Sequence, residues 1–254
     1  SGATSSKSSL PELPIVDFAK YGEIEEKPLT RIQAISGPRL QASWINLPHV
    51  TQHDEVDITA MDAERLRQKK LTKNKNVKLS PLAFIIRACA ITLKSFPKVN
   101  ASLSADGKSL IYKKYCNIGF ATDTKNGLVV PVIKDADKKS LIEIAQELSN
   151  LSEQAREGRL SADNMQGGSF TVSSLGGIGG TAFTPIINAP EVAILGVSRA
   201  SMHPVWDGKK FLPKLMLPLS FSYDHRVIDG ADAARFTTHF GQEIMNVKTL
   251  IKVE

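Results

Sequence analysis

A single histidine close to the C-terminal end of the chain stands where a general base could work. In "LPLSFSYDHRVIDG" the apolar positions Leu217, Leu219, Phe221 and Tyr223 alternate with Pro218, Ser220, Ser222 and Asp224, the period of two that marks a strand with one buried face. His225 continues the apolar parity and ends that row, just before the chain turns into Asp229 and Gly230. A histidine so placed reaches a cleft while packing holds its ring, and its ordinary titration near neutrality suits it to taking a proton. The same residues also fit a plainer role, with His225 a satisfied polar residue at a strand end and Asp229 the cap of the last helix.

A second polar stretch, "GGSFTVSSLGGIGGTAFTP", places six glycines in residues 167–180 and sets Thr171 and Ser173 on one strand face, opposite Phe170 and Val172. Glycines without Cβ atoms let a ligand or another backbone come close, which makes Gly176, Gly177 and the nearby Phe183 candidates for contact with a bound molecule. No Lys-Ser/Thr pair follows, so this is not a phosphate-cradling P-loop, and the strand-G-x-G-x-x-G-helix context of a dinucleotide site is missing. Ser173 does not sit in G-x-S-x-G, so it is not a nucleophile elbow. His49 and His53 share strand parity in "HVTQH" but lack a clear third ligand, and Cys89 and Cys116 lack metal-like spacing, so no metal site is read.

Several elements must position these residues. "LTRIQAISGPRLQASWINLP" has helical spacing interrupted at Gly37-Pro38, which leaves a first helix open, and "HVTQHDEVDIT" reads as extended. Thr59 and Asp62 open a helix over "MDAERLRQKKLTK". Ser80-Pro81 supplies a cap and a first-turn proline for "LAFIIRACAITLKSF", which is apolar nearly all round and hence buried. Short strand-like runs follow in "KSLIYKKY", "CNIGFAT" and "GLVVPVI", the last two parted by the turn "DTKNG". "SLIEIAQELSNLSEQAREG" is an amphipathic helix with Ser140 as cap, Glu143 as its capping-box partner and Gly158 near its end. "SFTVSS", "EVAILGVS" and "KLMLPLSFSYDH" are strands, and a final helix runs from about Ala231 to Val247. Strands and helices mix without a regular βαβ repeat, which implies an α/β domain with a mixed sheet.

Composition sets the outer bounds. A chain of 254 residues, 42% hydrophobic and 23% charged, suits one globular domain with one sizeable core. No apolar run reaches the roughly 18 residues a membrane helix needs. The net charge of +6 comes from scattered lysines, a solvated surface more than a nucleic-acid footprint. Cys89 lies in the apolar run "AFIIRACAITL", and two cysteines fit buried thiols in a reducing cytoplasm better than a disulfide framework. Residues 1–14, "SGATSSKSSLPELP", are Ser-rich and read as the end of a flexible linker, so the chain is expected to be part of a longer one.

Taken together, "SFTVSSLGGIGGTAFTPIINAPEVAILGVS" and "LPLSFSYDHRVIDGADAARF" resemble the catalytic domain of the dihydrolipoyl acyltransferases, the core components of 2-oxo acid dehydrogenase complexes. The likeness runs from about residue 28 to the C-terminus and takes in "PHVT" and "GLVVPVI"; Gly37-Pro38 departs from the more regular helix expected there. It implies the fold of chloramphenicol acetyltransferase, a two-layer α/β domain with a mixed sheet and packed helices. "TAFTPIINAPEVAILGVSRA" looks most like the acetyl-specific members from bacterial pyruvate dehydrogenase complexes. The resemblance implies that His225 takes the thiol proton of coenzyme A, that Ser173 donates to the oxyanion, and that Asp229 steadies the loop through a basic partner or caps the last helix. Coenzyme A and a lipoyl group carried by a separate domain would be the substrates, with no metal. Residues 1–27 would be linker and N-terminal arm, and 28–254 the catalytic domain. Lost upstream domains would recruit the pyruvate dehydrogenase and dihydrolipoyl dehydrogenase components. The chain itself would form trimers with shared sites, assembled into a hollow core in a bacterial cytoplasm, without nucleic acid or membrane. Thr181, Ala182 and Phe183 offer no positive charge to a second carboxylate, which points to acetyl over succinyl. The alternatives are an enzyme of the same fold with a succinyl or branched-chain acyl group, one with a free small acceptor, and a scaffold without activity.

Overall fold

The computed structural model describes residues 13–71 and 77–252. Its centre is a mixed sheet in the order β1-β11-β9-β8-β4-β7, formed by β1 (His49–Asp57), β11 (Phe211–Asp224), β9 (Ala193–Val197), β8 (Phe170–Ser174), β4 (Ile118–Phe120) and β7 (Val132–Ile133). The β4–β8 and β8–β9 pairs are parallel and the others antiparallel. The mixed sheet expected from the irregular order of elements is thus present.

One face of the sheet builds the core. Leu217, Leu219, Phe221 and Tyr223 are buried on it with Leu195, Val197, Phe170 and Val172. Against it lie α3 (Pro81–Ser95) and α5 (Gly230–Met245): the Phe236 ring of α5 stacks on Phe221 at 4.6 Å, and the α3 residues Phe84, Ile85, Ile86, Cys89 and Ala90 join the same cluster. Ten of the fifteen α3 residues are buried, as its apolar circumference requires. Pro81 occupies its first turn, but the Ser80 hydroxyl makes no capping bond. In α4 (Leu141–Arg156) the capping box is complete: the Ser140 hydroxyl accepts from the Glu143 N–H, and the Glu143 carboxylate accepts from the Ser140 N–H. Gly158, at φ +69°, follows the helix in the left-handed region that glycine tolerates best.

Three features differ from the sequence expectation. The first helix, α1 (Arg31–Asn46), runs straight through Gly37-Pro38 behind a Thr30/Gln33 capping box. Pro38 leaves the Ala34 carbonyl without its helical donor, and Ala34 is exposed, so water can take that place. Two elements have no clear sequence signal: β2 (Ala101–Leu103), which pairs with β3 (Leu110–Tyr112), and β10 (Ser201–Trp206), which pairs with the first half of β11. In that ribbon Pro204 faces Pro213, and two prolines without N–H groups hide a strand from any propensity reading. The helix expected over "MDAERLRQKKLTK" is α2 (Thr59–Leu71), and the last residues of that stretch lie outside the described ones. The last expected helix is α5 followed by the short α6 (Val247–Ile251); the pair "CNIGFAT" and "GLVVPVI" yields β4 and β7 together with a small hairpin of β5 (Thr122–Thr124) and β6 (Gly127–Val129).

Candidate active site

The second sheet face is polar, and the register shows which residues share it. Ser173 of β8 lies opposite Gly196 of β9, Gly196 opposite Ser220 of β11, and Ser220 opposite His53 of β1. One row further along, Thr171, Ile194, Ser222 and Thr51 stand side by side. Directly opposed residues project from the same side of a sheet, so these hydroxyls and the imidazole form one surface. The Ser220 hydroxyl lies 3.0 Å from His53 Nδ1 and accepts from the Phe183 N–H at 3.3 Å; the Ser222 and Thr51 hydroxyls are 2.7 Å apart.

Phe183 covers this row. A Cβ on Gly196 would come within 2.6 Å of the Phe183 ring, so the glycine is what allows the far end of the ring to approach the strand at the position paired with Ser173. Gly176 approaches the Ser198 carbonyl, with 3.5 Å to a would-be Cβ, whereas Gly177 has open space around it. Of the three glycine-rich candidates, Phe183 is therefore the one that walls the polar face.

His225 is the first residue after β11, in a turn, and is exposed. The buried-row expectation stops one step short: Tyr223 is the last buried member, and the His225 ring leans on the Tyr223 ring at 5.9 Å. The backbone leaves the sheet plane here because the Asp224 carbonyl accepts from the Val227 and Ile228 N–H groups, closing a turn. The His225 N–H donates to the Pro48 carbonyl at 3.0 Å. Asp224 is buried, and its carboxylate accepts from the Arg226 N–H at 3.0 Å, from Nε at 3.0 and 3.2 Å, and from Nη2 at 2.7 Å. The sequence reading assigned neither Asp224 nor Arg226 a role, although their places on both sides of the histidine were a usable signal. A cleft of about 260 Å³ opens beside the turn, lined in part by Leu47, Leu103, Glu191, Asp224 and Arg226.

Asp229 is the N-cap of α5: its carboxylate accepts from the Asp232 N–H at 2.8 Å. That backbone bond holds the carboxyl below its usual range, helped by the nearby cations Lys98 and Arg235. Lys98 itself pairs with Asp232 at 2.7 Å. The other histidine candidate, His49, has both ring nitrogens engaged with backbone: Nδ1 lies 2.8 Å from the Leu47 carbonyl, and Nε2 accepts from the Ile187 N–H at 3.0 Å. An Nε2 that accepts fixes the neutral tautomer with the proton on Nδ1. Cys89 and Cys116 are free and buried, and burial pushes both thiols up, Cys116 to about 12.

Within one chain Ser173 and His225 do not meet. From the Ser220 row to His225 is five residues at about 3.3 Å, and from β11 to β8 two strand steps of about 4.8 Å, so the separation is on the order of 19 Å. A proton acceptor and an oxyanion donor must both lie within hydrogen-bond reach of one reacting thioester.

Comparison with known proteins gives this geometry a context. The family model for the 2-oxoacid dehydrogenases acyltransferase (catalytic domain) matches residues 21–252. The dihydrolipoyllysine-residue acetyltransferase component of the pyruvate dehydrogenase complex from Cupriavidus necator is 58% identical over 238 residues, 94% of this chain and 43% of that protein. Its Pseudomonas aeruginosa counterpart is 56% identical, covering 98% of this chain and 46% of that one. The chain thus spans less than half the length of these relatives. Among solved structures, an Azotobacter vinelandii dihydrolipoamide acetyltransferase, studied for the role of a serine, a histidine and an asparagine in its catalytic mechanism, superposes with a TM-score of 0.93 at 56% identity. It covers 96% of this chain and all of that one. The cubic core of the pyruvate dehydrogenase multienzyme complex matches with TM-score 0.93 at 57% identity and the same coverage of both chains. A chloramphenicol acetyltransferase, at 15% identity and TM-score 0.51 over 84% of this chain and 94% of that one, shares the fold.

Proposed function

This chain belongs to the 2-oxoacid dehydrogenase acyltransferases (catalytic domain), and from that premise we propose that it moves an acetyl group between dihydrolipoyl-lysine and coenzyme A as the core of a pyruvate dehydrogenase complex. One observation carries the proposal. The intervals between the serine, the histidine and the asparagine studied in the Azotobacter enzyme are those between Ser173, His225 and Asp229 here.

The chemistry follows from the residue types. His225 accepts the proton of the coenzyme A thiol, and the sulfur attacks the thioester carbonyl of the acetyl-dihydrolipoyl group. A thiol with a reference pKa of about 8.5 is mostly protonated at neutral pH, so a base in reach contributes roughly a hundred- to ten-thousand-fold. The carbonyl oxygen becomes an oxyanion, to which the Ser173 hydroxyl donates. When the tetrahedral species collapses, the carbon–sulfur bond to dihydrolipoyl breaks and His225 returns the proton to the leaving sulfur. No acyl-enzyme forms, in keeping with the raised thiols of Cys89 and Cys116. Asp229 acts as a cap. Aspartate and asparagine cap helices about equally well, so the exchange preserves the acceptor that starts α5 and ends the His225 turn.

The separation of Ser173 from His225 supports a shared site, in which His225 of one subunit works with Ser173 of its neighbour. Exposed apolar side chains on the N-terminal arm (Ile15, Phe18, Tyr21, Ile24) and on the β10–β11 ribbon (Trp206, Phe211) support burial against further copies. The chain forms trimers, and the trimers a hollow core, as the likeness to a cubic core supports. Residues 1–27 serve as linker and arm and 28–254 as the catalytic domain. Upstream segments would bring the lipoyl domain and the pyruvate dehydrogenase and dihydrolipoyl dehydrogenase components, in a bacterial cytoplasm. Among the described residues no helix is long and apolar enough to cross a membrane.

The test is acyl exchange from acetyl-CoA and succinyl-CoA to free dihydrolipoamide. Acetyl transfer should dominate, because Thr181, Ala182 and Phe183 in the glycine-rich segment supply no cation for a second carboxylate. Absence of transfer from either thioester would overturn the activity, and equal rates would overturn the acyl preference.

A further inference from the structure

His225 sits between the two partners of an ion pair. The Asp224 side chain is only 2% exposed, and the contacts that offset the burial of its charge come from Arg226: one backbone N–H and a guanidinium fork on both carboxylate oxygens. A planar fork on a carboxylate fixes direction as well as distance, which a single ammonium cannot do. The backbone of Asp224 is held as firmly. Its N–H donates to the Val192 carbonyl at 2.9 Å, and its carbonyl accepts from Val227 and Ile228 at 2.9 and 3.0 Å. With the His225 N–H on Pro48, the peptide units before and after the histidine are both tied down. The imidazole is left with its own torsions and the Tyr223 ring to lean on.

We propose that Arg226 is a positioning residue for His225: its fork on the buried Asp224 carboxylate closes the turn that aims the imidazole at the coenzyme A thiol. The inference rests on the proposed role of His225 as base. A misplacement below an ångström is enough to cost a large part of a proton-transfer rate, so a turn closed by a stiff ion pair has a direct kinetic consequence. Arg226 is itself 45% exposed on its side chain, which makes a direct contact with coenzyme A the competing reading.

The experiment compares assembled wild-type, Arg226→Gln, Arg226→Lys and His225→Ala proteins, with kcat and the KM for coenzyme A measured below all their thermal midpoints. The Arg226→Gln protein should lose on the order of tenfold in kcat with KM changed by less than about twofold, and Arg226→Lys should fall between it and wild type. A wild-type kcat in Arg226→Gln, with or without a lowered thermal midpoint, would overturn the positioning role. So would a raised KM with an intact kcat, which would mark Arg226 as a substrate contact. A His225→Ala protein at wild-type turnover would overturn the base assignment and the clamp together, whereas an inactive His225→Ala beside a normal Arg226→Gln overturns the clamp alone.

Discussion

At the scale of single residues, the proposed reaction needs a proton acceptor in His225 and an oxyanion donor in Ser173. Removing the imidazole in His225→Ala should lower kcat by two or more orders of magnitude while the KM for coenzyme A stays near its original value. A variant with near-normal turnover would refute the assignment. Ser173→Ala should cost roughly 2.7–4 kcal/mol of transition-state stabilisation, whereas Ser174→Ala should be close to wild type, because only Ser173 shares the face of Thr171, Gly196 and Ser220. The reverse result would place the other strand face in the site. A third residue is a source of pH dependence. Glu191 is 2% exposed, and burial pushes its carboxyl from 4.5 up to about 7, against the pull of Lys113 and Asn188. Between those two pH values the folded chain holds a proton that the unfolded chain has released, so stability falls as pH rises through the window, by at most roughly 3 kcal/mol once Glu191 is ionised. Thermal midpoints between pH 5 and 8 should fall less for Glu191→Gln than for wild type; identical slopes would exclude Glu191 as the cause. Nothing in the sequence marked this glutamate. Its carboxylate lies against Gly168, where a Cβ would come within 2.9 Å of Oε1, and that contact joins two loops separated in sequence.

At the scale of elements, periodicity carried the reading where one face is buried and failed where none is. The parity of "SFTVSS" placed Ser173 opposite the core-facing Phe170 and Val172, and the capping box of α4 was visible in Ser140 and Glu143, because both signals are local. The ribbon of β10 was not visible, since five of its six residues, Val205 and Trp206 among them, are exposed on a strand with a proline. The exit of His225 from the apolar row was hidden too, because it depends on Asp224 turning the backbone through bonds to Val227 and Ile228. The tight contact of Phe183 with Gly196 gives an element-level prediction. A methyl group in Gly196→Ala would meet the ring at 2.6 Å and should cost about 1–3 kcal/mol, seen as a lower thermal midpoint. Adding Phe183→Ala should recover part of that loss, because the two changes act on one contact. Strict additivity of the two would mean that the ring does not lie there.

At the scale of the whole molecule, the decisive feature is the distance between Ser173 on the polar face and His225 in the turn after β11. Both residues have a role by resemblance, but the sequence alone does not place them relative to each other; the register of β8, β9 and β11 with ordinary strand spacings puts them on the order of 19 Å apart. In a ring of three copies every interface joins two different surfaces, so an intact His225 can face an intact Ser173 even when each chain lacks one of them. The most direct measurement is therefore activity after His225→Ala and Ser173→Ala chains are unfolded together, mixed equally and refolded. Random mixing should restore about a quarter of wild-type turnover, far above either parent alone. Activity that stays at the parental level in a mixture proven to have exchanged subunits would contradict a site shared between copies.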